Sequence, residues 1–171
     1  QFNTTTSMGR LTLNVLLSFA QFEREVAGER IRDKIAASKK KGMWMGGLPP
    51  LGYDVQDRKL VVNEKEARTV PHIFERYLEL QSVRALQAEL AAEGIRSKQR
   101  PLKDGTSYGA QKLSRGALYL MLQNRLYRGD ITHKGNASPG KHPAIIDEAL
   151  WEEVQALLAK NRVARAVGSY A

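Results

Sequence analysis

Between Leu11 and Phe22, eight of twelve residues are apolar: Leu11, Leu13, Val15, Leu16, Leu17, Phe19, Ala20 and Phe22. On a helix they wrap most of the circumference, and a helix that is apolar all round has to be buried on all sides. Thr4, Thr5, Thr6 and Ser7 are N-cap candidates and the first proline is Pro49, so the pattern predicts one uninterrupted helix from Met8 to Lys41. Such a helix is roughly 50 Å long at a rise of ~1.5 Å per residue. From Glu23 to Gly42 charge dominates, and Ala27, Ile31 and Ile35 leave only a thin apolar stripe. No later segment is patterned to surround the apolar half. The expectation is that it packs against an upstream domain, another subunit, or both; a core helix inside this chain is the alternative. The chain starts at Gln1 rather than methionine, and a fragment or processed chain is expected.

Gly42, Gly46, Gly47, Pro49, Pro50 and Gly52 interrupt regular structure within eleven residues and mark the best boundary. Beyond it, Tyr53 to Val55 and Lys59 to Val62 read as short strands around an Asp57-Arg58 turn. Asn63 caps a helix to about Leu80, which Pro71 should kink or split. A second helix follows from about Ser82 to Ala92. Residues 95–110 are polar, basic and glycine-containing and read as a loop. Ser114 caps a helix from Arg115 to Gln123 with Leu118, Met121 and Leu122 inward, and Asn124 to Gly129 ends it. Asp130 to Lys134 reads as a strand, Gly135 to Gly140 as a turn, and Asp147 caps a last helix from Glu148 to about Arg162. Residues from Val163 read as a frayed tail or linker.

The charge map narrows the function. The 171 residues carry 27 Lys/Arg against 18 Asp/Glu, a net charge of +9. Residues 1–42 hold 8 cations against 4 anions, residues 43–94 hold 6 against 8, and residues 95–134 hold 9 against 2. Two basic regions flanking an acidic one form an electrostatic footprint for a polyanion, with a merely solvated basic surface as the alternative. The basic stretches lack the strongly apolar opposite face of a membrane-surface helix, and no apolar run is long enough to span a bilayer. There is no cysteine, and His72, His133 and His142 are widely spaced. Disulfides, thiolate sites and cysteine nucleophiles are thereby excluded, zinc is not expected, and no cofactor is expected. No serine lies in a nucleophile-supporting motif and no glycine-rich phosphate loop is present, which argues against an active site within this chain.

Two constellations suit DNA. The helices Ser82 to Ala92 and Ser114 to Gln123 can form a helix-turn-helix with a long connector, the second being the recognition helix. A strand pair around Asp130 to His142 would supply a wing. Arg115 and Tyr119 are then candidates for major-groove readout, and Arg96, Lys98, Arg100, Lys103 and Lys112 for phosphate-backbone contacts. The other constellation is Lys39-Lys40-Lys41-Gly42 followed by Met43, Trp44 and Met45, a basic helix end passing into an extended segment that can track a groove. Lysines that complement the helix dipole are the plainer reading, and the two are compatible.

Four stretches in order carry a family resemblance. Ser7 to Arg10 followed by LTLNVLLSFAQFEREVAGERIRDKI resembles the end of the catalytic domain and the long connecting helix of serine site-specific recombinases. KKKGMWMGGLPPLGYD is similar to the junction into the recombinase domain of the large members, the serine integrases and related transposases. SRGALYLMLQNRLYRGD and HPAIIDEALWEEVQALL resemble that domain's closing motifs. The resemblance implies DNA strand exchange by a tetramer of two dimers, in which a serine attacks a phosphate to give a phosphoserine link and a free 3′ hydroxyl. It implies that this nucleophile lies upstream of Gln1, and that Glu23 and Arg24 are supporting residues near the active site. It also implies that the zinc ribbon usual in the family lies beyond Ala171 or is absent.

The expected fold is α+β and mainly α, a long helix followed by a winged-helix-like DNA-binding domain with short strands. The expected divisions are residues 1–42 (connecting helix), 43–52 (glycine-proline hinge), 53–162 (DNA-binding domain) and 163–171 (tail). The expected partners are double-stranded DNA and, through the long helix, further copies of the chain, in a bacterial or phage-encoded cytoplasmic setting without a membrane. A helix-turn-helix transcription regulator with a helical dimerisation arm accounts for the same charge map. A coiled-coil interaction protein fits less well, because the apolar spacing lacks a seven-residue repeat.

Overall fold

Thr6 begins the first helix by accepting a hydrogen bond from the Gly9 N–H through Oγ1 (3.1 Å). The computed structural model describes residues 6–101 and 104–162, and over these α1 spans Ser7–Lys40 without interruption. None of its residues is buried. Leu11, Leu17, Phe19 and Phe22 each expose more than half of their surface. The apolar half of α1 therefore has no packing partner within the described residues, which do not make it a core helix.

The helix ends where Gly42 turns left-handed (φ +74°). Its carbonyl accepts from the Lys141 N–H (2.9 Å), and a Cβ at this position would lie 2.4 Å from the Pro139 carbonyl oxygen. Only glycine fits so close an approach. This contact fastens the end of α1 to a hairpin almost a hundred residues later.

β1 (Tyr53–Gln56) and β2 (Lys59–Val62) pair antiparallel. Asp57 and Arg58 between them both take positive φ, 48° and 61°, as a two-residue hairpin turn with the twist of its strands requires. Asn63 accepts from the Glu66 N–H and caps α2 (Glu64–Ala67). The helical pattern then breaks at Arg68, just ahead of Pro71, and resumes as α3 (Thr69–Leu80). Ser82 caps α4 (Val83–Ala92) and Ser114 caps α5 (Arg115–Leu122). Asp147 caps α6 (Glu148–Lys160).

Two segments differ from the sequence reading. Residues 95–110 are not simply a loop: β3 (Arg100–Pro101) pairs with β4 (Ser107–Tyr108), and Arg96 bridges Lys112 at the base. Strands two residues long show no alternation, so nothing in the pattern marks them. Likewise Gly135 to Gly140 is not a turn. β5 (Asp130–His133) pairs with β6 (Asn136–Pro139), with Lys134 and Gly135 as the two left-handed turn residues. Asn-Ala-Ser-Pro lacks strand-forming residues and is held by this turn and by its partner. Between α5 and β5 the chain makes a 3-10 turn, Arg125–Arg128.

The core sits where α3 packs on α4 and α6, and α4 on α5. Phe74 of α3 meets Tyr127 edge-on (centroids 5.9 Å) and lies beside Trp151 of α6 (6.1 Å). Tyr53 stacks on Tyr127 at 6.1 Å and donates its hydroxyl to the Pro143 carbonyl (2.7 Å). Across α3 and α4, Arg76 pairs with Glu89, and His72 hydrogen-bonds Glu93 at 2.9 Å. No helix among the described residues is long and apolar enough to cross a membrane.

Candidate nucleic-acid interface

The first basic cluster lies at the junction of α1 with β5–β6. Lys39 is half-buried, while Lys40 and Lys41 are exposed, in the last turn where the helix dipole favours cations. The Gly42 junction adds exposed Lys141, which sequence spacing could not associate with them. The Met43–Met45 segment is only partly a free arm. Trp44 packs against the core, and Met43 and Met45 stay 37% and 40% exposed, lining a groove with Val55 and Arg58.

The second cluster surrounds α5 and the β3–β4 hairpin (the arm). Arg96 and Lys112 face each other across the base of the arm, where directly opposed residues of an antiparallel pair share a face. Both are exposed. Arg115 is exposed in the first turn of α5, and Tyr119 is 45% exposed one turn later. Arg84, at the start of α4, joins Arg115 and Tyr119 in lining an open cleft of about 260 Å³ with Ser82 and Asn161. Arg84 was not among the sequence candidates, because it belongs to the first helix of the pair. Its position in that helix's first turn was the available signal.

Lys98 is a correction. Its side chain is 6% exposed, with Nζ 2.7 Å from Asp54 Oδ1 and 2.6 Å from Glu66 Oε2. Glu66 also accepts from the Gly52 N–H (3.0 Å), and Asp54 from Asn63 Nδ2 (2.7 Å). The Lys98 hydrogen bond, above all, holds the Asp54 carboxyl below the usual carboxylate range; burial opposes this and Asn63 adds to it. A cation enclosed between two carboxylates is not available to a phosphate backbone. Lys98 instead clamps the arm to β1 and α2.

Arg100 is half-buried, and no carboxylate pairs with it among the described residues. It donates to the Pro49 carbonyl through Nη2 (2.8 Å) and toward the Lys98 carbonyl through Nη1 (3.3 Å), latching the arm to the segment after α1. Lys103 lies outside the described residues. Glu23 and Arg24 are exposed on α1. Arg128, which a charge count would include, is held by Asp130 (3.2 Å) and Glu152 (3.0 Å). What remains is a set of exposed cations at two places, the end of α1 and the arm base with α5. No group of His, Asp or Glu that could hold a metal occurs among the described residues.

A family model described as Recombinase matches residues 64–161, and one described as Resolvase, N terminal domain, matches residues 1–44. Among solved structures, a crystal structure of a large serine recombinase (LSR)–DNA complex is similar with a TM-score of 0.63 and 27% identity, over 77% of this chain and 38% of that one. A structure concerned with the sequence requirements of the Listeria innocua prophage attP site gives 0.64 and 25%, over 77% of this chain and 52% of the other. The chain thus spans 38% and 52% of the lengths of these two. Comparison with curated proteins gives no match.

Proposed function

The chain belongs to the serine recombinases, in the family whose recombinase-domain model covers residues 64–161, and from that premise we propose that it is the DNA-binding portion of a site-specific enzyme acting on attachment-type sites. The observation that carries this is the pair of exposed basic clusters on a fold shared with an LSR–DNA complex. Lys39, Lys40 and Lys41 contact phosphates next to the crossover, with Lys141 beside them. Arg96 and Lys112 contact the backbone farther out. Arg115 and Tyr119 reach base edges from α5, as a recognition helix does from its N-terminal end.

On the same reading the exposed apolar stretch of α1 packs against the catalytic domain and against a second subunit, as assembly into dimers and tetramers requires. Glu23 and Arg24 on that helix support the catalytic centre. There a serine oxygen attacks a DNA phosphorus, forming the phosphoserine bond while the 3′ oxygen leaves as a hydroxyl. The DNA-associated setting is cytoplasmic.

The test is selection of bound duplexes from a random DNA pool, followed by affinity against salt. Enrichment of a site of about a dozen base pairs, with a steep salt slope, is expected. Arg115→Ala should weaken the selected duplex more than a random one. Salt-sensitive binding with no enriched sequence would overturn the site-specific reading.

A further inference from the structure

The outward ridge of α5 is not explained by its cations. Leu118, Met121 and Leu122 turn into the core, which at helical spacing puts Gly116, Leu120 and Gln123 along the opposite side. All three are exposed, and Leu120 at 75% is the most exposed large apolar side chain among the described residues. Ala117 and Tyr119 beside it are exposed as well. A solitary surface leucine needs no explanation, but this one lies on a helix whose N-terminal end carries exposed Lys112 and Arg115, with Arg84 lining a cleft beside Arg115 and Tyr119. Cations at that end select a polyanion as the occupant, and the apolar ridge selects a polyanion that presents apolar groups inside a groove.

The DNA major groove presents one such group, the C5-methyl of thymine. Gly116, Ala117 and Leu120 have no side-chain donor or acceptor, so the middle of the ridge cannot pair with guanine or adenine edges; Gln123 at its C-terminal end can, as can Arg115 on the neighbouring face. Side chains on a helix lean toward its N-terminus, so Leu120 lies over Gly116. A Cβ built on Gly116 would meet only Ser114 Oγ, at 4.0 Å, so its surface is open to a close neighbour. We propose that Leu120, with Ala117 beside it, reads thymine methyl groups in the major groove and is a specificity-determining residue of the interface.

The proposal rests on the DNA-binding reading above and is tested separately from it. In the duplex selected by the full chain, each thymine is replaced in turn by deoxyuridine, which removes the methyl and leaves every hydrogen bond in place. At one or two positions affinity should fall about fourfold, the factor equivalent to the ~0.8 kcal/mol of one buried methyl-sized group. Leu120→Ala should bind the thymine duplex more weakly and no longer distinguish the two bases at those positions. Leu120 is outside the core, so the variant keeps the fold. The proposal is overturned if no deoxyuridine position weakens binding or if Leu120→Ala retains the discrimination. It also falls if Leu120→Ala changes only self-association, since the ridge would then be a protein contact. Failure to select any site would remove the underlying reading instead, and this proposal with it.

Discussion

Lys98→Met separates a structural clamp from a phosphate contact. The lysine is 6% exposed, its partner Glu66 23%, and Asp54 49%. Removing one partner of an enclosed ion pair costs about 3–5 kcal/mol, and an exposed pair is worth about 0–1 kcal/mol. Glu66, which keeps only the Gly52 N–H, falls between these limits, and Asp54 falls near the lower one. Methionine preserves the stem's packing, so the net loss is about 2–3 kcal/mol. Urea unfolding of the full chain reads this directly. With a slope of about 1–3 kcal/mol per molar, the midpoint should drop by roughly 0.7–3 M. The acid limb supplies a second readout. Asp54 has a folded pKa below its ordinary 3.8, so its contribution is complete above that value and is lost as pH falls through the lower folded value. Lys98→Met should flatten that part of the limb. At a temperature where the variant stays folded, the dependence of DNA affinity on salt should be unchanged. Unaltered stability together with a salt slope lowered by about 0.9 would refute the clamp and restore Lys98 to the phosphate contacts.

Three further outcomes follow from the same contacts. Arg96→Ala and Lys112→Ala, each at an exposed cation, should leave urea stability within about 0.5 kcal/mol and lower the salt slope by about 0.9 apiece. Burial pushes the Tyr53 and Tyr127 phenols above their ordinary 10.0. Each therefore stabilises the fold fully below that pH and ceases to as pH rises toward its folded value, and ultraviolet titration of the six tyrosines should show these two failing to ionise near 10 until the protein unfolds. Gly42→Ala forces a Cβ onto the Pro139 carbonyl at a left-handed position, which should cost at least about 1 kcal/mol and speed hydrogen exchange at the Lys141 amide.

What the sequence made legible was local. Asn63, Ser114 and Asp147 were all readable as caps, because an N-cap hydrogen bond involves residues only two or three apart. The inward set Leu118, Met121 and Leu122 followed from period alone. What the sequence did not show at the site was partners distant in sequence. Lys98 lies 44 residues from Asp54 and 32 from Glu66, and Arg100 lies 51 from the Pro49 carbonyl. A count of nine cations between residues 95 and 134 treated as surface what the fold had partly drawn inward. The same blindness hid Lys141 and Arg84, which join their clusters only through the Gly42 junction and the packing of α4 on α5.

That junction bears on how the two clusters act together. From Gly42 the hydrogen bond to Lys141 reaches the β5–β6 hairpin; Gly140 donates to Gly129, and Ile145 and Ile146 both donate to Tyr127 in the 3-10 turn that follows α5. A continuous set of backbone hydrogen bonds and packed elements thus ties Lys40 and Lys41 to Arg115. Two contacts held on one body raise each other's effective concentration, and looseness between them forfeits that gain without removing any contact. Gly42→Ala should therefore weaken binding to a full-length selected site while leaving affinity for a half-site spanning only the α5 contacts unchanged. An equal loss on both duplexes would mean that the substitution acts on folding of the whole domain and that the junction does not couple the clusters.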